Sequence, residues 1–164
     1  MKRFSTRTLT EAAATAALYA ALSLLSSAWG LGYGPIQCRL SEALTLLPLY
    51  YPSSVFGLTV GCLLADLFSP FGLPDLLVGT LATFAAARLT AKCRRPVAAG
   101  LPPVLINAVA VGAVLTLEEA GVSTGALPLL LYNVCTVAAG EAVCVYGLGL
   151  PLLRYIKKKD KGGN

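Results

Sequence analysis

The sequence has 164 residues, 56% of them hydrophobic and 13% charged, with a mean hydropathy of +0.72. A water-soluble domain carries about 25% charged residues, so this chain has only about half the charge needed to face water on all sides, which argues for a membrane protein. The formal net charge of +5 does not point to nucleic acid. The cations cluster beside apolar runs, at Lys2, Arg3 and Arg7, at Lys92, Arg94 and Arg95, and from Arg154 through Lys157, Lys158, Lys159 and Lys161, whereas a nucleic-acid surface needs a basic stripe among polar and aromatic neighbours.

Taken in chain order, the apolar runs predict six helices. The first covers Thr8 to Ala28 and ends at Gly30, Gly32, Gly34 and Pro35, where glycine loosens the backbone and proline removes a donor. Its length and the apolar segments that follow make it a transmembrane helix rather than a cleaved signal. The second, Leu40 to Tyr50, is short: at 1.5 Å per residue it covers about half the hydrocarbon core. Tyr51-Pro52-Ser53-Ser54 separates it from the third, Ser53 to Phe68, and Ser69-Pro70-Phe71-Gly72 separates the third from the fourth, Pro74 to Ala91. A charged turn at Lys92 to Pro96 leads to the fifth helix, Val97 to Leu117. A polar turn at Gly121 to Gly125 leads to the sixth, Leu127 to Ile156.

The fold class expected is therefore all-α: a polytopic membrane protein of six transmembrane helices, forming one membrane domain over residues 1–164. Residues 8–156 form the bundle, residues 1–7 a cytoplasmic N-terminus and residues 157–164 a basic, mobile and solvated tail. Six crossings place both termini and the Lys92–Pro96 turn on one side, which the cations mark as cytoplasmic. The loop from Gly30 to Cys38 then lies outside, as a lid over a cavity beside the half-length second helix, because irregular backbone is tolerated in a membrane only inside a bundle or next to a cavity.

A charged group in hydrocarbon costs at least about 2.5 kcal/mol, so such a group marks a function or a pair. Arg39, Glu42, Asp66 and Glu141 stand in or at the ends of the apolar segments, with Gln37, Asn107 and Asn133 as uncharged companions. Arg39 and Glu42 are three apart and share a helix face, either to pair with each other or to line a pocket. Asp66 reads equally as a solvated helix end, and Asn107 and Asn133 as hydrogen-bond glue between helices. Gathered round one axis these groups line an outward-facing polar pocket, with Trp29, Tyr33 and Tyr132 offering flat aromatic surface to a planar ligand. Ala13, Ala17 and Ala21 stand four apart on the first helix, beside Ala12, Ala16 and Ala20. Such a stripe lets another helix approach closely, either one of this chain's own or a partner's. The five cysteines form no C-x-x-C pair and there is no histidine, so no metal site is expected and the cysteines read as small apolar residues.

The stretch Gly34-Pro35-Ile36-Gln37-Cys38-Arg39-Leu40-Ser41-Glu42-Ala43-Leu44-Thr45 resembles the G-P-I-Q-x-R-x-S-E-A-L-T block of the QueT family. Ser69-Pro70-Phe71-Gly72, Leu101 to Ala108, Gly140-Glu141-Ala142-Val143 and Gly147 to Pro151 are similar to later blocks of that family, collinear over nearly the whole chain. The resemblance implies the substrate-binding (S) component of an energy-coupling factor transporter, with its six-helix fold, taking up a queuosine precursor: a 7-deazaguanine in aminomethyl or cyano form, or queuine. It implies as partners a transmembrane coupling protein and two cytoplasmic ATPases, and an A-x-x-x-A docking face that Ala17 and Ala21 fit, with Ala13 a turn earlier.

The ligand's adjacent ring N–H and amino donors suit one carboxylate and an aminomethyl cation suits a second, so Glu42 and Glu141 are the candidates. Gln37, Asn107 and Asn133 would supply amide contacts, and Arg39 would reach a ring carbonyl or orient Glu42. No G-x-x-x-x-G-K-[ST] phosphate loop is present, so no catalytic residue and no cofactor are expected in this chain, and ATP would be used by the partners. The competing readings are an S component for another vitamin or nucleobase and a membrane-embedded enzyme. The enzyme is disfavoured because H-E-x-x-H, G-x-S-x-G and Asp-rich metal motifs are all missing.

Overall fold

The structure, a computed structural model, describes residues 5–32, 37–121 and 125–162, with side chains to residue 159. Every regular element among these residues is helical. Helix α1 runs Thr6–Ala28 and is followed by a 3-10 helix, Leu40–Leu49. Then come α2 (Ser54–Asp66), α3 (Gly72–Thr90), the single turn α4 (Pro96–Ala99), α5 (Leu101–Ala120) and α6 (Leu127–Ala142). A π-helical stretch, Val143–Gly149, leads without a break into α7 (Leu150–Gly162). The six predicted segments are all present, with ends that differ by a few residues. The fifth is broken at Gly100, because Pro102 and Pro103 have no N–H to give to the carbonyls of the preceding turn.

By length and composition, three helices are long and apolar enough to cross a membrane: Thr6–Ala28, Pro96–Ala120 and Leu127–Lys159. The exterior is correspondingly greasy. Leu9, Leu73, Leu81, Leu105 and Leu131 all stand exposed, while Ser41, Glu42, Asp66, Asp75 and Asn133 are buried. Apolar outside and polar inside is the inverse of a water-soluble protein and is what a bilayer selects.

Two of the segments depart from the shapes the sequence suggested. The short second helix is 3-10 rather than α. At ~2.0 Å per residue its ten residues reach about 20 Å, further than an α-helix of the same length. Its backbone is drawn out along α1: the Leu40 N–H donates to Ser26 Oγ at 2.9 Å and Ser23 Oγ donates to Ser41 Oγ at 2.7 Å. The C-terminal tail from Lys157 is helical, α7 running on to Gly162. Lys157, Lys158 and Lys159 are exposed as expected, and Lys157 Nζ donates to the Tyr50 hydroxyl at 3.0 Å.

The 3-10 helix is the axis of the bundle. It touches α1, α2, α3, α4, α7 and the π stretch, and Ser41 to Leu46 along it are buried. Around it α1 packs on α2, α3 lies between α2 and α5, and α5 packs on α6. The α1–α2 seam is made close by Gly57 and Gly61. A Cβ on Gly57 would stand 2.5 Å from the Ala12 carbonyl oxygen, and one on Gly61 2.8 Å from the Ala16 oxygen and the Tyr19 Cβ. Ala12 and Ala16 thus belong to an internal contact, while Ala13, Ala17 and Ala21 remain exposed. Gly61→Ala is expected to push the two helices apart, lowering stability by about 1–3 kcal/mol. A detergent-solubilised variant that melts at the wild-type temperature contradicts this seam.

Candidate functional site

The buried polar groups sort into three sets. The central one joins the 3-10 helix to α1, α5 and α6. Glu42, 1% exposed, accepts the Tyr19 hydroxyl on Oε1 at 2.5 Å and Asn107 Nδ2 on Oε2 at 3.3 Å. The same amide nitrogen lies 3.4 Å from Glu141 Oε1, so Asn107 bridges the two carboxylates. Glu42 is presented here because the 3-10 turn, closed by the Glu42 N–H to the Arg39 carbonyl at 3.0 Å, points it inward at mid-height of α1. Glu141 occupies the last turn of α6 before the π stretch.

The Gln37 backbone lies beside this set. Its carbonyl lies so close to Gly140 that any side chain there would collide with it, which explains a glycine beside the buried glutamate. Two buried polar atoms of the set, Asn107 Oδ1 and Glu141 Oε2, have no hydrogen-bond partner among the described residues, and neither has the buried Gln37 Nε2. A buried polar atom left without a partner costs about 1–3 kcal/mol, and such atoms in a folded protein call for an explanation.

The second set is a buried ion cluster. Arg39 Nε donates to the Gly32 carbonyl at 3.3 Å, Nη1 reaches Asp66 Oδ1 at 3.5 Å and Nη2 lies 3.7 Å from Asp75 Oδ2. Cys62 donates to Asp66 Oδ2 at 3.1 Å, and Ser69 donates to Asp75 Oδ2 at 2.6 Å. Arg39 therefore ties the loop after α1 to the end of α2 and the start of α3. Its ion pairs are to the two aspartates, and its own backbone is extended ahead of the 3-10 helix. The third set is Asn133, whose Nδ2 donates to Thr116 Oγ1 on α5 at 3.2 Å, a bond between two helices away from the carboxylates.

Of the residues singled out in the sequence, the structure brings together Glu42, Asn107 and Glu141, with the Gln37 backbone against Gly140, the residue before Glu141. It holds Arg39 and Asp66 in the neighbouring ion cluster and Asn133 in an interhelical bond. Trp29 caps α1 with 62% of its surface exposed and takes no part in these sets. Tyr33 and the middle of the expected lid, residues 33–36, lie outside the described residues.

Two functional-looking residues were missed. Tyr19 reads as core in a helix of alanines and leucines, and only the fold reveals its carboxylate partner. Asp75 carried a usable signal, a lone acid in the first turn of an apolar helix. Among the described residues no cluster of His, Cys, Asp and Glu has the arrangement to hold a metal ion.

These features define a helical membrane protein with a lipid-facing apolar exterior and a buried centre of paired carboxylates and amides. The QueT transporter family model matches residues 9–158, and the chain belongs to that family. In sequence it is similar to the queuosine precursor transporter QueT of Lactococcus lactis subsp. cremoris (strain MG1363), with 34% identity over 83 residues. That match covers 51% of this chain and 48% of the relative, so the matched part spans about half the length of the curated protein. No solved structure matches.

Proposed function

We propose that this chain is the substrate-binding subunit of an energy-coupling factor importer and binds a queuosine precursor, a 7-deazaguanine, at the Glu42–Asn107–Glu141 centre. The observation that carries the ligand class is the set of unpartnered atoms. Asn107 Oδ1 and Glu141 Oε2 are acceptors and Gln37 Nε2 is a donor. A deazaguanine edge offers the complement, a ring N–H and an amino group to give and a ring carbonyl to receive. The pair of carboxylates, Glu42 and Glu141, favours the cation of an aminomethyl substituent, since an ammonium beside two acids bridged only by a neutral amide gains charged hydrogen bonds. Titration of the purified protein with the aminomethyl and cyano deazaguanines, queuine and a vitamin panel tests this. Tight binding of a vitamin, with none of a deazaguanine, overturns the ligand and leaves the importer reading.

In this reading the protein sits in the bacterial cytoplasmic membrane with six crossings and both termini inside, as the basic clusters favour. It captures ligand from outside under the loop that follows α1. A transmembrane coupling protein and two cytoplasmic ATPases then use ATP to drive release inside. The exposed Ala13, Ala17 and Ala21 form the face for the coupling protein, the neighbouring Ala12 and Ala16 being occupied by α2. Ala17→Trp together with Ala21→Trp is expected to leave the ligand's Kd within about threefold while cutting uptake in vesicles at least ~20-fold, because the site and the face are on different sides of α1. Undiminished uptake by this variant refutes the docking face.

A further inference from the structure

We infer that Cys38 and Cys144 are a redox-active pair whose disulfide fastens the segment Gln37–Arg39 to the α6–π junction. In the structure both are free thiols, with their sulfurs 2.7 Å apart. Contact at that range brings two cysteines far apart in the chain within a small side-chain rotation of a bond. The two backbones also approach each other nearby. Gln37 is pressed onto Gly140, so Cys38 and Cys144 form a second point of contact about one helical turn further along. Cys38 is half-buried and Cys144 fully buried, which makes Cys38 the sulfur an external reagent meets first.

The reaction is thiol–disulfide exchange with a small disulfide or a disulfide-bearing oxidoreductase as oxidant. The Cys38 thiolate attacks one sulfur of the oxidant, forming a mixed disulfide and expelling the other sulfur as a thiolate. The Cys144 thiolate then attacks the Cys38 sulfur and expels the second. The new S–S bond has cost the protein two electrons and two protons, which leave on the two reduced thiols of the oxidant.

The consequence rests on the proposed site. The segment that would be fastened carries Gln37 and leads into Glu42, and the junction carries Glu141. A covalent tie therefore holds the two sides of the centre together, and ligand must part them to enter or leave. The other cysteines do not share this geometry: Cys62 is buried beside Asp66, Cys135 is exposed and Cys93 is half-buried near the cytoplasmic turn.

The test is oxidation of the detergent-purified protein with 2-hydroxyethyl disulfide, followed by non-reducing peptide mapping, amide hydrogen exchange over residues 37–42, and dissociation of bound aminomethyl deazaguanine. The expected result is a Cys38–Cys144 linked peptide with Cys135 still open to alkylation. Slower amide exchange and at least ~10-fold slower ligand dissociation accompany it. Dithiol reverses all three, and the oxidant changes none of them in Cys38→Ser or Cys144→Ser. Full alkylation of both thiols after oxidation overturns the pair, and a linked peptide with unaltered amide exchange overturns the fastening. If the reduced protein binds no deazaguanine, the ligand reading fails while mapping and amide exchange still decide the disulfide.

Discussion

If the proposed site is right, Glu141→Gln is expected to weaken binding of an aminomethyl deazaguanine by about 100-fold, near 2.7 kcal/mol, and of the neutral cyano form by much less. The asymmetry follows from the geometry. Glu141 uses one oxygen on the shared Asn107 amide and keeps the other without a partner among the described residues. Glutamine preserves an acceptor at one position but loses the charge, so a ligand's neutral N–H groups lose little while its ammonium loses a buried counter-ion. A charged hydrogen bond is worth about 1.5–3 kcal/mol, roughly twice a neutral one, and sets the size of the difference. Isothermal titration of both forms against wild type and variant reads it directly. Equal losses for the two ligands place the cation elsewhere, and no loss for either removes Glu141 from the site.

The helix ends were legible in the sequence because each apolar run stops at a marked break, such as Gly30, Pro52, Pro70 or the Lys92–Pro96 turn. Intramembrane polar groups were legible because hydrocarbon makes each one conspicuous. Their grouping was not. Arg39 and Glu42 share a face only if the backbone is helical through both. Arg39 is instead extended, at φ −81° and ψ 113°, and the two side chains part company, one to a pair of aspartates and one to Tyr19 and Asn107.

The 3-10 and π geometries were equally hidden. Neither has a sequence signature as strong as helical amphipathicity; each arises where a helix yields to its neighbours, and here the two pack against each other. The cysteines read as small apolar residues by type, and only the approach of Gln37 to Gly140 sets two of them side by side.

Removing the positive charge at the centre of the ion cluster is expected to give the largest loss of stability. Asp66 and Asp75 are 2% and 0% exposed, and the Arg39 guanidinium stands 3.5 Å from the first and 3.7 Å from the second. Arg39→Met leaves two acids facing each other without that cation, and breaking a buried pair in this way costs about 3–5 kcal/mol. Arg39→Lys should fall between, losing about 1–2 kcal/mol. An ammonium cannot fork to the Gly32 carbonyl and both carboxylates as a planar guanidinium does. Adding Asp66→Asn and Asp75→Asn to Arg39→Met should recover most of the loss, because neutral polar groups bear burial far better than unpaired charges. Thermal unfolding in detergent orders the four proteins. If Arg39→Met alone matches wild type, the cluster carries no net charge to balance, and Arg39 returns to the list of groups free to meet a ligand.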